Sequence, residues 1–128
     1  MLAHVGIEVG DLERSRAFYE SALAPLGIEV VMEFEGAIGF GKETDRGPNP
    51  FFWLNARGRP PVSGAHVCFG ARTPDLVDAF HAAALAAGAT DNGAPGPRPQ
   101  YHPGYYGAFA LDPDGNNIEA VCHRADAS

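Results

Sequence analysis

His4-Val5-Gly6-Ile7-Glu8-Val9-Gly10-Asp11-Leu12-Glu13-Arg14-Ser15-Arg16-Ala17-Phe18-Tyr19 reads as a strand followed at once by a helix. Over residues 2–9 the period is two. Val5, Ile7 and Val9 share one face, and His4, Gly6 and Glu8 share the other, the pattern of a half-buried strand. From Leu12 the period changes. Leu12, Ala17, Phe18, Ala22 and Leu23 form an apolar stripe at helical spacing, so 12–24 is expected to be a helix. Asp11 stands where an N-cap is wanted, and Pro25 and Gly27 end the run.

The same opening recurs. His66-Val67 repeats His4-Val5 at a distance of 62 residues, and that shift lays Ala17 on Ala79, Phe18 on Phe80, Ala22 on Ala84 and Leu23 on Leu85. A repeat of about half the chain implies two equivalent units and puts one imidazole at the same point of each. In the first unit, Ile28–Phe34, Ala37–Gly41 and Phe51–Ala56 read as further strands. In the second, Ala65–Ala71 is a strand, and Thr73-Pro74-Asp75 starts a helix that runs to Ala87 before Gly88. A weak strand lies near 90–94. Tyr105–Leu111 and Asn117–His123 are strands joined by the turn Asp112-Pro113-Asp114-Gly115. The order β-α-β-β-β occurs twice, an α+β architecture with helices on one side of a curved sheet. The 128 residues fit one domain, with modules of about 1–60 and 61–128.

A net charge of −7 and the absence of any Lys/Arg run disfavour nucleic acid and anionic membranes as partners. No apolar run is long enough to span a bilayer, and the N-terminus lacks the pattern of a signal peptide. Cys68 and Cys122 make no disulfide framework. Both lie in apolar strand-like runs and are expected to be reduced core residues of a cytoplasmic protein. The Gly- and Pro-rich stretches 41–50 and 88–104 read as loops.

Glu119 is a carboxylate inside the apolar closing strand. If the two units face each other, His4 and His66 open equivalent strands and can converge on one cavity with Glu119. Two imidazoles and a carboxylate on strands make a three-point facial ligand set that suits Fe, Mn, Ni or Zn, leaving positions for water or a bidentate substrate.

The stretch His4–Tyr19, the His66 strand and Asp112-Pro113-Asp114-Gly115-Asn116-Asn117-Ile118-Glu119 together resemble the vicinal oxygen chelate superfamily. That superfamily includes glyoxalase I, extradiol dioxygenases, fosfomycin and bleomycin resistance proteins, and methylmalonyl-CoA epimerase. The resemblance covers nearly the whole chain. It implies two βαβββ modules forming a cupped mixed sheet with helices outside, around a divalent metal held at His4, His66 and Glu119. It also implies a homodimer, because relatives often complete their sites across a twofold axis. Glyoxalase I carries a fourth ligand, a Glu, on the strand matching Phe51–Ala56. The corresponding position here is Trp53, and an indole cannot ligate a metal. The remaining His-His-Glu set looks more like that of the extradiol dioxygenases, which usually have a longer chain with two such domains.

The expected activity is therefore metal-dependent chemistry on a small substrate with vicinal oxygens, of the lyase, isomerase or ring-cleaving dioxygenase kind. Tyr106 and His102 are the candidates for acid and base. Trp53, Phe51 and Tyr105 are the candidates for substrate contacts. The rival reading is a metal-free binding protein of the bleomycin-resistance type, using aromatic stacking surfaces.

Overall fold

The computed structural model describes residues 1–125. The expected order is present twice. The first half contains β1 (Val5–Glu8), α1 (Leu12–Leu23), β2 (Glu29–Phe34), β3 (Ala37–Thr44) and β4 (Gly47–Asn55). The second contains β5 (His66–Gly70), α2 (Pro74–Ala86), β6 (Thr90–Pro97), β7 (Tyr106–Leu111) and β8 (Asn117–Cys122). Each half builds its own four-stranded mixed sheet, ordered β1-β4-β3-β2 and β5-β8-β7-β6. In both, the first strand runs parallel to the last and the other pairs are antiparallel.

The helices start as the sequence dictates. The Asp11 carboxylate accepts the backbone N–H of Arg14 at 3.1 Å, and the Thr73 hydroxyl accepts that of Leu76 at 3.3 Å with Pro74 at the first helical position. After α1 the chain tightens into a 3-10 turn, Ala24–Leu26, closed by Gly27 in the left-handed region at φ 73°.

Phe18, Tyr19, Ala22 and Leu23 of α1, and Val77, Phe80 and Ala84 of α2, pack into one apolar core with alternate residues of the strands. Phe52 of β4 meets Phe69 of β5 edge to face, with centroids 5.3 Å apart, so the core is continuous across the two halves. Each fully buried side chain of this size contributes about 1.5–3 kcal/mol. The repeat is imperfect: Leu23 is buried, whereas its counterpart Leu85 is exposed.

Polar side chains join the halves where the two sequence motifs meet. The hydroxyl of Tyr19 donates to the buried carboxylate of Asp112, which also accepts the backbone N–H groups of Asp114 and Asn116. The Asp114 carboxylate faces the backbone N–H of Gly10 at 3.3 Å and pairs with Arg14 at 3.2 Å. Fully buried Asn116 donates to Val62 O and accepts from Ala65 N, each at 3.0 Å, and so aims the start of β5. The motif at one end of the chain thus grips the motif at the other.

Three expectations need correction. The 41–50 stretch is a hairpin: β3 extends to Thr44 and β4 begins at Gly47. The weak strand near 90–94 runs to Pro97 as an edge strand with irregular register. Cys122 is buried, but Cys68 is exposed on the face away from the helices.

Candidate metal and substrate site

Each sheet has one face against the helices and one open face. In β8, Ile118, Ala120 and Cys122 point into the core, which puts Glu119 on the open face. In β5, Phe69 is buried while His66 and Cys68 face outward. Residues 66 and 119 therefore share the open face of the second sheet.

The pair is formed. His66 Nε2 lies 2.8 Å from Glu119 Oε1. The Glu119 side chain is only 3% exposed, whereas that of His66 is 54% exposed. The other Glu119 oxygen accepts the hydroxyl of Tyr105, which reaches it across Gly107. A Cβ at Gly107 would stand 3.1 Å from the Tyr105 ring and 3.4 Å from the carboxylate. A buried carboxylate without partners is costly, and here each oxygen has one. Burial, followed by hydrogen bonding to Glu119 and its charge, raises the Tyr105 pKa well above the ordinary phenol value. Cys68 lies directly opposite Glu119 in the sheet. Crowding against the protein, and after it the carboxylate, pushes its thiol up to about 12, so it is not a thiolate at neutral pH.

The ring of Tyr105 is held by a small aromatic cluster. Tyr101, His102 and His123 surround it at centroid distances of 4.9, 5.2 and 5.5 Å. His102 stacks on His123, with Nε2 3.0 Å from the His123 Nδ1, and its own Nδ1 is 2.6 Å from the carbonyl of Pro103. His102 is thus one ring removed from Glu119. Tyr106 lies on the other face, where it pairs with Cys122, and its hydroxyl donates to Asp78 of α2 at 2.7 Å. That contact raises the Tyr106 pKa and directs its hydroxyl away from Glu119. The geometry next to the carboxylate belongs to Tyr105 rather than Tyr106.

His4 comes to the open side just before β1. It shares with His66 a cavity of about 450 Å³, also lined by Phe51, Val67 and Cys68. Among the described residues, no three His, Cys, Asp or Glu side chains gather closely enough to hold a metal ion. One chain therefore brings together two of the three expected donors, with His4 standing apart.

Trp53 lies on the open face of the first sheet, between core residues Phe52 and Leu54. It lies over Gly39, where a Cβ would come within 2.9 Å of the indole. Phe34 stacks on it at 6.1 Å between centroids, with 15° between planes. His4, Asn55 and Arg57 complete a second cavity of about 410 Å³. The sequence reading missed Phe34, Asn55 and Gly107. The alternation of the strands placed Asn55 beside Trp53, but only the register brings Phe34 and Gly107 to their partners.

The family model described as "Glyoxalase/Bleomycin resistance protein/Dioxygenase superfamily" matches residues 1–120. No curated protein matches. A solved glyoxalase/bleomycin resistance protein from Albidiferax ferrireducens T118 is 34% identical, with a TM-score of 0.84 over 95% of this chain and 98% of that one. A glyoxalase-related enzyme from Fulvimarina pelagi shares the fold at 20% identity and a TM-score of 0.71, covering 95% of this chain and 87% of its own. A glyoxalase I mutant from Zea mays is 25% identical with a TM-score of 0.69, over 94% of this chain and 46% of that one.

Proposed function

Since the chain belongs to the glyoxalase/bleomycin resistance protein/dioxygenase superfamily, we propose that it is a metal-dependent enzyme acting on a small substrate with vicinal oxygens, of the lyase, isomerase or ring-cleaving kind. The observation that carries this reading is the His66–Glu119 pair with the Tyr105 hydroxyl on its far oxygen. An imidazole and a carboxylate, fixed on adjacent strands of a sheet, fit a divalent cation such as Fe, Mn, Ni or Zn. When bound, such a cation supplies Lewis acidity toward the substrate oxygens.

The third donor is His4. Because it stands apart from the pair within one chain, the set is best completed by His4 of a second copy, which makes the working unit a homodimer. Tyr105 is the residue that holds a proton at the site. Its hydroxyl is protonated at neutral pH, as a phenol ordinarily is, and its bond to Glu119 gives that proton a fixed direction. The His102–His123 stack holds the Tyr105 ring in place. Phe51 lines the cavity that His4 and His66 share and limits water there.

Calorimetric titration with Mn(II) and Zn(II) tests the reading. The protein should bind one equivalent per chain. His66→Ala and Glu119→Gln should each weaken binding by tenfold or more, because each deletes a direct ligand. Titrations that show no binding by the wild type, or wild-type affinity in both variants, would rule the metal reading out.

A further inference from the structure

We infer that the open face of the first sheet is a subsite for a planar conjugated carboxylate, with the ring system against Phe34 and Trp53 and the carboxylate on Arg57. The subsite adjoins the metal site of the enzymatic reading above through His4, which lines both cavities, and names the substrate class, but it needs no metal.

Four observations carry it. Phe34 is 60% exposed, an unusual amount for a large aromatic side chain at the end of a strand. It does not stand alone, since it stacks nearly parallel on Trp53. The two rings form an aromatic surface rather than an isolated apolar residue. The sheet beneath is shaped to let side chains lie flat. A Cβ at Gly39 would come within 2.9 Å of the indole, and one at Gly6 would stand 2.9 Å from the Asn55 amide nitrogen and 3.4 Å from the Trp53 Cβ. Side chains at those two positions would lift the indole and the amide off the floor.

The rim then sets the chemistry. Arg57 borders the same cavity of about 410 Å³. The Glu8 carboxylate accepts the backbone N–H of Arg57 at 3.4 Å, and among the described residues no carboxylate pairs with the guanidinium, so it can engage an anion. A guanidinium is always charged, and its planar fork matches a carboxylate in two parallel hydrogen bonds. Aromatic stacking selects a flat ligand, and the fork selects an anion in the plane of that ligand. A saturated ring or a neutral amide satisfies only one of the two.

Naphthoate, naphthamide and cyclohexanecarboxylate separate these requirements. Dissociation constants come from calorimetry, while the emission of Trp53, the only tryptophan, reports whether a ligand lies against it. Naphthoate should bind about tenfold more tightly than naphthamide, and at least threefold more tightly than cyclohexanecarboxylate, and should shift the emission. Arg57→Gln should abolish the preference for the acid over the amide, and Phe34→Ala should weaken both aromatic ligands. Both positions are exposed, so neither change threatens the core. Equal affinity for acid and amide, an unchanged ratio in Arg57→Gln, or no emission change on saturation would overturn the inference. Manganese titration of the same wild-type and Arg57→Gln samples keeps the two readings apart. Failure of the metal site alone leaves the ligand ratios intact, and failure of the subsite leaves metal binding intact.

Discussion

Trp53 and Glu119 occupy the same place in their two sheets. Trp53 lies opposite Gly6 of β1, Glu119 lies opposite Cys68 of β5, and Gly6 and Cys68 are themselves related by the 62-residue repeat. One half of the molecule therefore carries a carboxylate where the other carries an indole. Trp53→Glu should add a fourth donor, the second anionic one, and raise divalent-metal affinity by on the order of tenfold, since it adds negative charge beside the cation. Trp53→Ala should leave metal content unchanged. Metal titration of both variants reads the outcome, and no gain in Trp53→Glu would mean that position 53 does not border the metal.

A site shared between copies makes a quantitative demand. Chains carrying His4→Ala and chains carrying Glu119→Gln each lack a donor at every site. Mixed in equal amounts and refolded together, they should regain about a quarter of the wild-type metal sites, because half of the dimers are mixed and each mixed dimer has one intact site. Metal content of the mixture near that of the separate variants would show that all donors come from one chain, or that the protein does not pair.

The proton on Tyr105 gives a pH signature. Burial is the first cause of its raised pKa and Glu119 the second, so Glu119→Gln should bring that pKa down without returning it to the ordinary value. The sign for stability follows. The folded protein keeps a proton that the unfolded chain releases near pH 10, so the contribution is complete below about pH 10 and is lost as pH rises beyond it. Phenolate absorbance, taken as the difference between wild type and Tyr105→Phe, follows the group directly. An identical titration in Glu119→Gln would contradict the contact.

Tyr19→Phe tests the grip between the halves. The ring keeps its edge contacts to Phe18 and Phe52, at 5.0 and 4.9 Å, but the hydroxyl on buried Asp112 is lost. The variant should lose roughly 1–3 kcal/mol of stability, the cost of removing one partner from a buried carboxylate. Urea unfolding measures it, and a change within error would show that water replaces the hydroxyl.

The repeated order of elements was legible because each amphipathic strand and helix announces its period locally. The extents of β3, β4 and β6 were not, because Pro and Gly masked them. Pro48 and Pro50 lie in the part of β4 that pairs only with β3, since β1 begins to pair at Phe52, and Gly93, Pro95, Gly96 and Pro97 lie on an edge. A strand with one free side tolerates residues that donate nothing to a ladder. Cys68 was misplaced by its apolar neighbours although its parity with His66 was plain. The joining of His66 to Glu119 and the distance of His4 from both depend on how strands sit beside one another, which period two does not encode. Tyr105 and Tyr106 show the same limit: adjacent in sequence, they address opposite faces.

The meeting of Tyr19, Arg14 and Gly10 with Asp112 and Asp114 has a further consequence. What holds the halves is a set of side-chain contacts and a common core, and the peptide link through 57–61 adds only proximity. A chain cut there would still present each fragment with its natural counterpart. Two separate polypeptides, one for each half, would then assemble into the same body.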